Sequence, residues 1–534
     1  MQKNEYKLSS ELRGHTEDVR TVLTSPLGIF SSSRDKSIKL WSPSTDSLSF
    51  QDDLTFVGHR DYVGPLLYLK PSQPTTAPCS SLSFIASPSS STALPPASSP
   101  YDASDVFSTD FLDSANDVAP GGLLVSGSRD KRLLVWSASS AEQLLELEGH
   151  TEQVTCLCVL PSGAVVSGSL DGTLMVWRGS NRIATLKGHK GPVLSLISLE
   201  PDSADQAPVI VSGGGDRSLR WWSYKNGNEG ALECVRVIEG AHDDSVRCLA
   251  VLPGECGFVS GGHDSFCRTW SNDGVPGPLL IGHTALVFGI AAAKTQQVDG
   301  SDGEDRNGGD KKRGAMVVVA SCSDDNSCRI WNSSTGKCLQ TLPHPGAVWS
   351  AAFLPARPSD SSVPAPPDLV TACADGVVRV WSYDPSRQAC PSALAAYDTF
   401  LAEWQSSRSY SDPQQSGGAA GAAADVAGGC GSGSQAMEPS VSLPPGIKVE
   451  DPAALEQPGR RDGEQKFIRP SQGGGAIDVY VWGGGESGWE RIGQVVEGPS
   501  GRGGGGGGGG GGGEGGRGSG RGPLQGQSRW RGEC

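Results

Sequence analysis

The stretch SGSRDKRLLVW, residues 126–136, places an aspartate six residues before a tryptophan, at Asp130 and Trp136. A near copy, SSSRDKSIKLW, ends at Trp41. Seven such pairs occur along the chain, each after a short run of small residues, and this recurrence indicates a repeat architecture. The pairs are Asp35/Trp41, Asp130/Trp136, Asp171/Trp177, Asp216/Trp222, Asp264/Trp270, Asp325/Trp331 and Asp375/Trp381.

A histidine lies upstream of each pair, usually directly after glycine as in EGH. Between this histidine and the aspartate lie two short apolar stretches, such as VTCLCVL and AVVSGS in the third unit. The run into each tryptophan alternates as in TLMVW, so each unit is predicted to be a small antiparallel sheet. The histidines are His15, His59, His150, His189, His242, His283 and His344.

These units resemble those of the WD-repeat family over residues 6–383. The resemblance implies an all-β fold, a seven-bladed β-propeller with four strands in each blade. It also implies that the His, Asp and Trp of each unit share a buried chain of hydrogen bonds, rather than binding metal or acting in catalysis. The fifth unit has GAH and the seventh has LPH and a shortened turn, ACADG, so we expect weaker networks in those two blades.

Ring closure is predicted to use the N-terminus. After Trp381 the sequence offers no fourth strand, whereas residues 6–12, YKLSSEL, supply one, and pairing the two ends removes exposed sheet edges. The propeller is expected to span residues 1–390. Its second and sixth units carry polar or Pro/Ser-rich inserts, at about 71–120 and 294–314, which are predicted to be disordered loops.

Composition narrows the class of protein. The 534 residues include no apolar run approaching the ~18 needed to cross a bilayer, and the first residues lack the apolar core of a signal peptide. An intracellular protein is expected, and the family resemblance implies a cytoplasmic and nuclear location. The fourteen cysteines form no paired C-x-x-C and are interpreted as reduced packing residues. The net charge of −15 disfavours nucleic-acid binding, leaving RNA binding by the Arg/Gly tail as a minor alternative.

The C-terminal part divides into three predicted segments. Residues 391–445 are predicted to be a linker that starts with a possible helix around Ala393 to Trp404. Residues 446–499 contain two alternating runs, AIDVYVW and WERIGQVV, joined by a Gly-rich turn, which predicts a β-hairpin. Residues 500–534 include a polyglycine run that cannot bury a core and are predicted to be disordered.

The segment 446–499 also resembles the opening of the PFU domain of the phospholipase A-2-activating protein family. In that family the domain continues, and a helical-repeat PUL domain that binds a ubiquitin-handling AAA ATPase follows. Here the resemblance stops at the Gly-rich run, so we expect this chain to lack the rest of PFU, the PUL domain and AAA ATPase binding. The matching residues are Phe467, Ile468, Arg469, Tyr480, Trp482, Trp489, Ile492, Gly493, Val495 and Val496.

The family resemblance implies a non-enzymatic adaptor that binds ubiquitin or ubiquitylated proteins in ubiquitin recycling and proteasomal degradation. No G-x-S-x-G, P-loop or H-E-x-x-H motif is present, so neither catalytic residues nor a cofactor is expected. The alternative is a generic WD-repeat scaffold or a ubiquitin-ligase substrate receptor that does not itself bind ubiquitin. The PFU likeness of residues 443–498 is the feature that discriminates between them. An enzyme hidden in the inserts is disfavoured because such loops cannot hold catalytic groups in place.

Three positions in each WD-repeat blade point to the top of the ring: one before the first apolar residue after GH, one two residues further on, and one before the turn aspartate. These positions bring together aromatic and charged side chains, the mixture found at interface hot spots. An exposed carboxylate beside apolar side chains would complement the basic rim of ubiquitin's apolar patch. Asp18 is the strongest candidate, because it sits next to Arg20 and Arg34 and can be reversed without touching the buried residues of the first motif. The predicted ubiquitin contacts are Asp18, Arg20, Arg34, Tyr62, Arg129, Arg247, His263, Phe288, Asp324 and Trp349.

Overall fold

The computed structural model describes twelve stretches of the chain. They are residues 5–44, 49–71, 121–199, 209–225, 228–254, 257–296, 315–355, 366–409, 448–460, 464–469, 477–483 and 488–495. Residues 1–497 form one compact unit, and the second unit, 498–534, lies outside the described residues. The predictions for residues 72–120, 297–314, 410–445 and 500–534 also concern residues outside this description.

Seven four-stranded antiparallel sheets follow one another along the chain, each forming one blade of a β-propeller. Blade 1 contains β2 (Val19–Ser25), β3 (Gly28–Ser33), β4 (Ser37–Pro43) and β5 (Phe50–Val57); blade 2 contains β6 (Val63–Leu69), β7 (Leu123–Ser128), β8 (Leu133–Ser137) and β9 (Gln143–Leu147); blade 3 contains β10 (Val154–Val159), β11 (Val165–Ser169), β12 (Thr173–Arg178) and β13 (Asn181–Lys187).

The remaining blades repeat this order, and the first strand of each blade is the innermost. Blade 4 contains β14 (Val193–Leu199), β15 (Val209–Gly214), β16 (Leu219–Lys225) and β17 (Asn228–Ile238); blade 5 contains β18 (Val246–Val251), β19 (Gly257–Gly262), β20 (Cys267–Ser271) and β21 (Pro276–Leu280); blade 6 contains β22 (Val287–Gln296), β23 (Ala315–Ser323), β24 (Ser327–Asn332) and β25 (Cys338–Pro343).

The seventh blade is built from both ends of the propeller sequence. Its strands are β26 (Val348–Phe353), β27 (Leu369–Cys373), β28 (Val377–Ser382) and, at the outer edge, β1 (Lys7–Arg13). Strand β1 runs antiparallel to β28, which confirms the closure predicted from the sequence. The innermost strands contact their neighbours all around the ring, and β2 contacts β26.

The hydrophobic core is divided among the spaces between blades. One cluster, for example, combines Phe30 and Ile38 of blade 1 with Leu124, Leu134 and Trp136 of blade 2, all nearly or completely buried. Both faces of each blade pack on a neighbour, so central strands such as β3 and β7 are buried at every position and consist of apolar or small residues throughout.

Helix α1 (Pro391–Ser409) follows blade 7 and covers the predicted helix around Ala393 to Trp404. It packs on the propeller through Tyr397 and Leu401, and the Tyr397 hydroxyl donates a hydrogen bond to the Pro343 carbonyl at 3.0 Å. The helix predicted at the start of the linker segment is therefore present, and burying these two side chains stabilises it against the propeller.

The C-terminal segment forms an eighth sheet of four strands: β29 (Val449–Glu450), β30 (Gln465–Ile468), β31 (Ile477–Trp482) and β32 (Trp489–Val495). Strands β31 and β32 form the predicted hairpin. Strands β29 and β30 were not predicted; they pair in parallel, and a short 3₁₀ helix, Pro452–Glu456, lies between them in the sequence.

The eighth sheet packs on blade 5. Phe467, Ile477 and Val479 form one buried cluster with Leu279 and Ile281. The Gln465 side chain binds the outer edge of blade 5, since its Oε1 accepts a hydrogen bond from the Leu279 N–H and its Nε2 donates to the Leu279 carbonyl, both at 2.9 Å. No helix among the described residues is long and apolar enough to span a membrane.

Candidate binding site

The polar network inside a regular blade is clearest in blade 3. The His150 Nδ1 donates to the Asp171 carboxylate at 2.9 Å, and its Nε2 lies 2.8 Å from the Ser167 hydroxyl. The Trp177 indole N–H donates to the same hydroxyl at 2.8 Å. The serine is therefore the hub that joins histidine to tryptophan.

Five further blades contain this network, with His–Asp distances between 2.7 and 3.0 Å. The sequence analysis missed the serine hub, although it always lies ten residues before the tryptophan. The hubs, each with the tryptophan that donates to it, are Ser31 with Trp41, Ser126 with Trp136, Ser167 with Trp177, Ser212 with Trp222, Ser260 with Trp270 and Ser321 with Trp331.

The tryptophans of the motif are also core residues. Trp270 and Trp331 make the predicted hydrogen bonds, and the two residues, 4% and 0% exposed, also lie in the apolar clusters between blades. Trp270 of blade 5 packs in one cluster with Trp221 of blade 4, and Trp331 of blade 6 packs in another with Val259 of blade 5. The reason is that the indole has one polar N–H on a large apolar ring, and burying the ring stabilises the fold. Neither tryptophan is therefore accessible to a partner.

The glycine before the histidine has a steric reason. A Cβ at Gly58 would lie 2.8 Å from the Trp136 ring, and at Gly188 it would lie 2.9 Å from the Trp222 ring. In blade 5 the buried Ala241 occupies this place, yet His242 still lies 2.9 Å from the Asp264 carboxylate. The expectation of a weaker network in blade 5 is wrong, because the histidine keeps both of its partners there.

These contacts shift the pKa of individual motif groups. Burial by itself raises the pKa of Asp325, but the hydrogen bond and charge of His283, together with hydrogen bonds from Ser327 and the Thr284 N–H, outweigh it and lower that pKa to about 2. Burial lowers the pKa of His150, although Asp171 opposes this effect. In the regular blades both ring nitrogens of the histidine are occupied by the contacts of this network, and the described residues contain no cluster of His, Cys, Asp and Glu able to hold a metal ion.

Blade 7 departs from the pattern. The His344 Nδ1 donates to the Leu342 carbonyl at 3.0 Å, and its Nε2 binds the hydroxyl of Thr371, which also accepts from Trp381. The predicted link from His344 to Asp375 is wrong, because the Asp375 carboxylate is taken by the buried Arg379, at 2.6 Å. Burial, and then the charge of Arg379, lower the pKa of His344 to about 3.

Arg379 also reaches the closing strand. Its Nη2 lies 2.9 Å from the Glu11 carboxylate on β1, and its Nε donates to the same carboxylate at 3.0 Å. The side chain of Arg379 is completely buried. Blade 7 therefore replaces the His–Asp contact with an ion-pair triad that joins the two ends of the propeller sequence.

Each innermost strand carries a β-bulge just after its first residue. A bulge leaves a residue outside the ladder and turns its side chain, and such irregularities are common beside binding sites. Four of the bulged residues belong to the predicted contact set. The bulged residues, from blade 1 to blade 7, are Arg20, Gly64 with Pro65, Thr155, Leu194, Arg247, Phe288 and Trp349.

The bulges help to assemble one connected group, the mouth cluster, at the end of the innermost strands nearest the histidine loops. Its members are Arg20, Tyr62, Arg247, His263, Phe288 and Trp349. The Arg20 guanidinium carbon lies 3.8 Å from the Trp349 ring centroid and 5.5 Å from that of Tyr62. The Trp349 ring stacks on Phe288 at 4.3 Å, and Phe288 contacts His263 edge-on.

Charge in the mouth cluster is mainly positive. Burial lowers the pKa of Arg20, and the neighbouring Arg34 lowers it further, while Asp18 opposes both. The Asp18 carboxylate lies 3.6 Å from Arg20 and 3.8 Å from Arg34. Burial, and next the charge of Arg247, lower the pKa of His263.

These positions correct the picture of Asp18 as a freely exposed carboxylate. Its side chain is 25% exposed and serves as the counter-charge of Arg20, whose side chain is only 6% exposed. Tyr62 and Phe288 are also buried, because they pack between neighbouring innermost strands. Reversing the charge of Asp18 would therefore disturb the fold as well as the surface.

Two predicted residues lie toward the periphery. Arg129 lies over the Tyr62 ring at 5.8 Å and 3.8 Å from the Asp61 carboxylate, with more than half of its side chain exposed. Asp324 lines a cleft of about 590 Å³ between blades 6 and 7, which Asp375 and Trp404 also line. Apart from Asp324, the predicted ubiquitin contacts therefore lie together around Arg20.

Gln153 is a neighbour that the sequence analysis missed. Its side-chain oxygen accepts a hydrogen bond of 2.7 Å from the Tyr62 hydroxyl, and it is buried. Gln153 holds in blade 3 the position that Asp18 and Tyr62 hold in blades 1 and 2. The positional rule that selected those two residues would have found it.

The comparisons agree with this architecture. The family model described as WD domain, G-beta repeat matches residues 6–42, 141–178, 180–223, 232–271, 278–332 and 336–382. The chain is 28% identical over 258 residues to the ubiquitin homeostasis protein lub1 of Schizosaccharomyces pombe, covering 48% of this chain and 27% of that protein.

Other similar proteins have different names. The nuclear distribution protein nudF of Emericella nidulans is 27% identical over 246 residues, covering 43% of this chain and 49% of that protein. The chain thus spans half or less of these two relatives. The crystal structure of the WD40 beta propeller domain of Doa1 has a TM-score of 0.49 and 21% identity, covering 72% of this chain and 99% of that one. The matched repeats and the seven four-stranded blades together show that this chain is a WD-repeat β-propeller protein.

Proposed function

We propose that the protein is a non-enzymatic ubiquitin-binding adaptor in ubiquitin homeostasis and ubiquitin-dependent protein degradation, in the cytoplasm and nucleus. The similarity to the ubiquitin homeostasis protein of S. pombe supports this class. The resemblance of residues 446–499 to the opening of a PFU domain supports it independently, because that resemblance lies outside the WD repeats.

The mouth cluster and its rim are the observation that carries the proposed binding face. Aromatic side chains stack at the centre, and partly exposed charged groups of both signs, Asp18, Arg34 and Arg129, surround them. Protein interfaces have this anatomy, in which packed aromatic and arginine anchors lie inside a polar rim. Ubiquitin, with an apolar patch and a basic rim, would contact Asp18 and the aromatic edge.

A generic scaffold that does not bind ubiquitin is the second candidate. The similarity to the nuclear distribution protein nudF favours it, since that relative matches a comparable share of this chain. The two candidates share the propeller and differ in the partner at the mouth cluster, so a direct binding measurement separates them.

The test is a titration of isotopically labelled ubiquitin with the full chain and with two charge reversals. Asp18→Arg should weaken binding by ~1–3 kcal/mol, or about 5- to 150-fold, if it is a central contact. Arg129→Glu changes a more exposed neighbour and leaves Arg20 with its counter-charge. Lys187→Glu, on the outermost strand of blade 3, is the matched control and should bind as the wild type does.

A melting curve for each variant separates lost binding from lost fold, which matters for Asp18 because of its contact with Arg20. Binding of equal strength by the wild type and both rim variants would refute the proposed face. Absence of ubiquitin binding by the wild type would favour the scaffold.

A further inference from the structure

Several buried N–H donors of the mouth cluster have no hydrogen-bond partner among the described residues. They are Nε and Nη2 of Arg20, Nε of Arg247 and Nε1 of Trp349. Arg20 is the one described arginine for which two buried nitrogens lack a partner. A buried polar group without a partner is costly, so such groups in a folded protein call for an explanation.

Two other buried arginines of this protein have a guanidinium paired with two carboxylates. Arg132 contacts the carboxylates of Asp130 and Glu146, and Arg379 binds those of Asp375 and Glu11. Arg20 has no equivalent pair, since its one acidic neighbour, Asp18, lies 3.6 Å from Nη2, beyond hydrogen-bonding distance. The guanidinium of Arg20 therefore keeps an unused capacity for a bidentate acceptor.

The neighbours of Arg20 hold its guanidinium in place. Trp349 stacks against the guanidinium at 3.8 Å, and stacking on an aromatic face leaves the in-plane N–H groups free to bind. In the adjacent blade 2 the bulge contains Gly64, where an added Cβ would meet only two backbone oxygens within 4 Å, at 3.8 and 3.9 Å. The bulge of blade 2 therefore carries no side chain at Gly64, and a methyl group there would meet only ordinary van der Waals contacts.

Charge around Arg20 favours an anion. Besides burial, the positive charges of Arg34 and Arg247 both lower the pKa of Arg20. The carboxylate of Asp18 lies near Arg20 and Arg34. The local excess of positive charge contrasts with the net charge of −15 for the whole chain. An anion that enters would offset the cost of burying these cations near one another.

We propose that the mouth cluster binds a carboxylate of an extended peptide, with Nε and Nη2 of Arg20 donating to its two oxygens. Nε and Nη2 form one edge of the guanidinium, whose geometry matches a planar carboxylate. Tyr62, Phe288 and Trp349 supply apolar contacts for the residue that carries it. A phosphate is disfavoured, because its second negative charge would lie close to Asp18. This proposal does not depend on ubiquitin being the partner.

The carboxylate could be the C-terminus of a chain or the side chain of an aspartate or glutamate, and four synthetic probes distinguish these sources. One ends in a free carboxylate, the second is the same peptide with a C-terminal amide, the third is amidated with an internal aspartate, and the fourth is amidated with a phosphoserine. The full chain, labelled with nitrogen-15, is titrated with each, and the indole signal of Trp349, assigned with Trp349→Phe, reports binding.

We expect the signal to shift with the first or third peptide and to stay unchanged with the neutral amide. Arg20→Met should weaken that binding at least about tenfold, and Arg20→Lys should do nearly the same, because lysine keeps the charge but loses the planar fork. Arg182→Met, on the outer strand β13, is the matched control. Arg20→Lys also guards against misfolding of Arg20→Met, and a thermal melt of each variant checks it.

Three results would overturn the proposal. The first is the absence of any shift with either carboxylate peptide. The second is equal binding by wild type and a folded Arg20→Lys variant. The third is a preference for the phosphoserine peptide of about tenfold or more. Because no probe contains ubiquitin, failure here leaves the ubiquitin titration unaffected, and the reverse is also true.

Discussion

Blades 3 and 7 have the same four-stranded architecture, but the aspartate of the repeat motif has a different partner in each. In blade 3 the Asp171 carboxylate binds His150, and all four strands come from one continuous stretch of chain. In blade 7 the outer strand comes from the N-terminus, and Asp375 binds Arg379, which reaches across to Glu11, 368 residues away from it in the sequence. Strands β1 and β28 are not consecutive in the chain, and the ion pair between Arg379 and Glu11 links them.

We call the junction between β1 and the C-terminal part of the propeller sequence the seam of blade 7. Further side-chain contacts stabilise this seam. The Ser9 hydroxyl donates to the Arg387 carbonyl at 2.6 Å, and the Arg387 guanidinium pairs with the buried Asp368. The backbone of Tyr6 is held by both ends of the Gln340 amide, at 2.9 and 2.7 Å. Several side-chain cross-links therefore join the two ends of the propeller sequence where no continuous stretch of chain connects the strands.

Removing the closing strand should have the largest effect. Deletion of residues 1–12 removes Tyr6, Leu8 and Leu12 from the core, and each buried leucine is worth about 2–5 kcal/mol. The total approaches the whole stability of a typical domain, so we expect aggregation or loss of cooperative unfolding in calorimetry. Lys7→Ala, which changes an exposed residue of the same strand, is the control. An unchanged melting curve for the deletion would contradict the closure.

Removing Arg379 should have the next largest effect. Arg379→Met leaves the Glu11 and Asp375 carboxylates without their shared cation, and breaking a buried ion pair costs about 3–5 kcal/mol. The urea midpoint measures the loss. Arg182→Met changes an exposed arginine and should cost less than about 0.5 kcal/mol.

The charge-neutral combination Arg379→Met with Glu11→Gln and Asp375→Asn tests the cause of this loss. It should recover part of the stability, because the carboxylates no longer need a cation. Loss of the same size in the single and the triple variant would show that packing, rather than charge, makes Arg379 important.

The hydroxyl hubs should have similar, smaller effects in the two blades. Ser167→Ala in blade 3 and Thr371→Val in blade 7 each leave a tryptophan N–H and a histidine nitrogen without their partner. We expect about 1–3 kcal/mol from each in denaturant unfolding, against almost nothing for the exposed Ser180→Ala. A loss confined to blade 3 would mean that the seam holds blade 7 together without its hub.

The pH dependence should show a difference that accumulates gradually, by at most ~1.4 kcal/mol for each pH unit. His344 is neutral in the folded protein, with a pKa of about 3, whereas an unfolded histidine has a pKa near 6.5. Its contribution is complete above pH 6.5 and is lost as the pH falls toward 3, because the unfolded chain then binds the extra proton. Replacement by glutamine should reduce the slope of stability against pH between about 6.5 and 4 by at most ~1.4 kcal/mol per pH unit.

Asp325 loses its contribution only below the usual aspartate range, since its folded pKa is lowered to about 2. The window from pH 6.5 to 4 therefore reports mainly on histidines. An identical slope for His344→Gln and wild type, measured from urea midpoints at several pH values, would refute the assignment of a neutral His344.

The features that could be predicted are those the chain repeats. The spacing of Asp130 and Trp136, found seven times, gives the blade number, and the lack of a strand after Trp381 predicts the closure. Arg379 could not be predicted because its partner Glu11 is distant in sequence, and the His–Asp contact that it replaces is kept in the other six blades. The same holds for the parallel pair β29–β30, which has no second copy.

The position of the mouth cluster could be predicted from the sequence, but the burial of its residues could not. The positional rule selected Arg20, Phe288 and Trp349, all at β-bulges. The rule identifies side chains that point to the top of the ring, but it does not indicate how deeply each one is buried. Asp18 was expected on the open surface and instead balances Arg20, because the stacked aromatic rings bury the arginine beside it.

The position of Gln465 affects how two molecules of this protein could associate through their sheet edges. Its amide group both accepts from and donates to the backbone of Leu279, as the peptide group of an adjoining strand would. Strand β21 is the outermost strand of blade 5, and an outermost strand is a template on which a second molecule can extend the sheet. A side chain that imitates a peptide group there occupies this template at Leu279, so edge-to-edge polymerisation of the folded protein is blocked at that point.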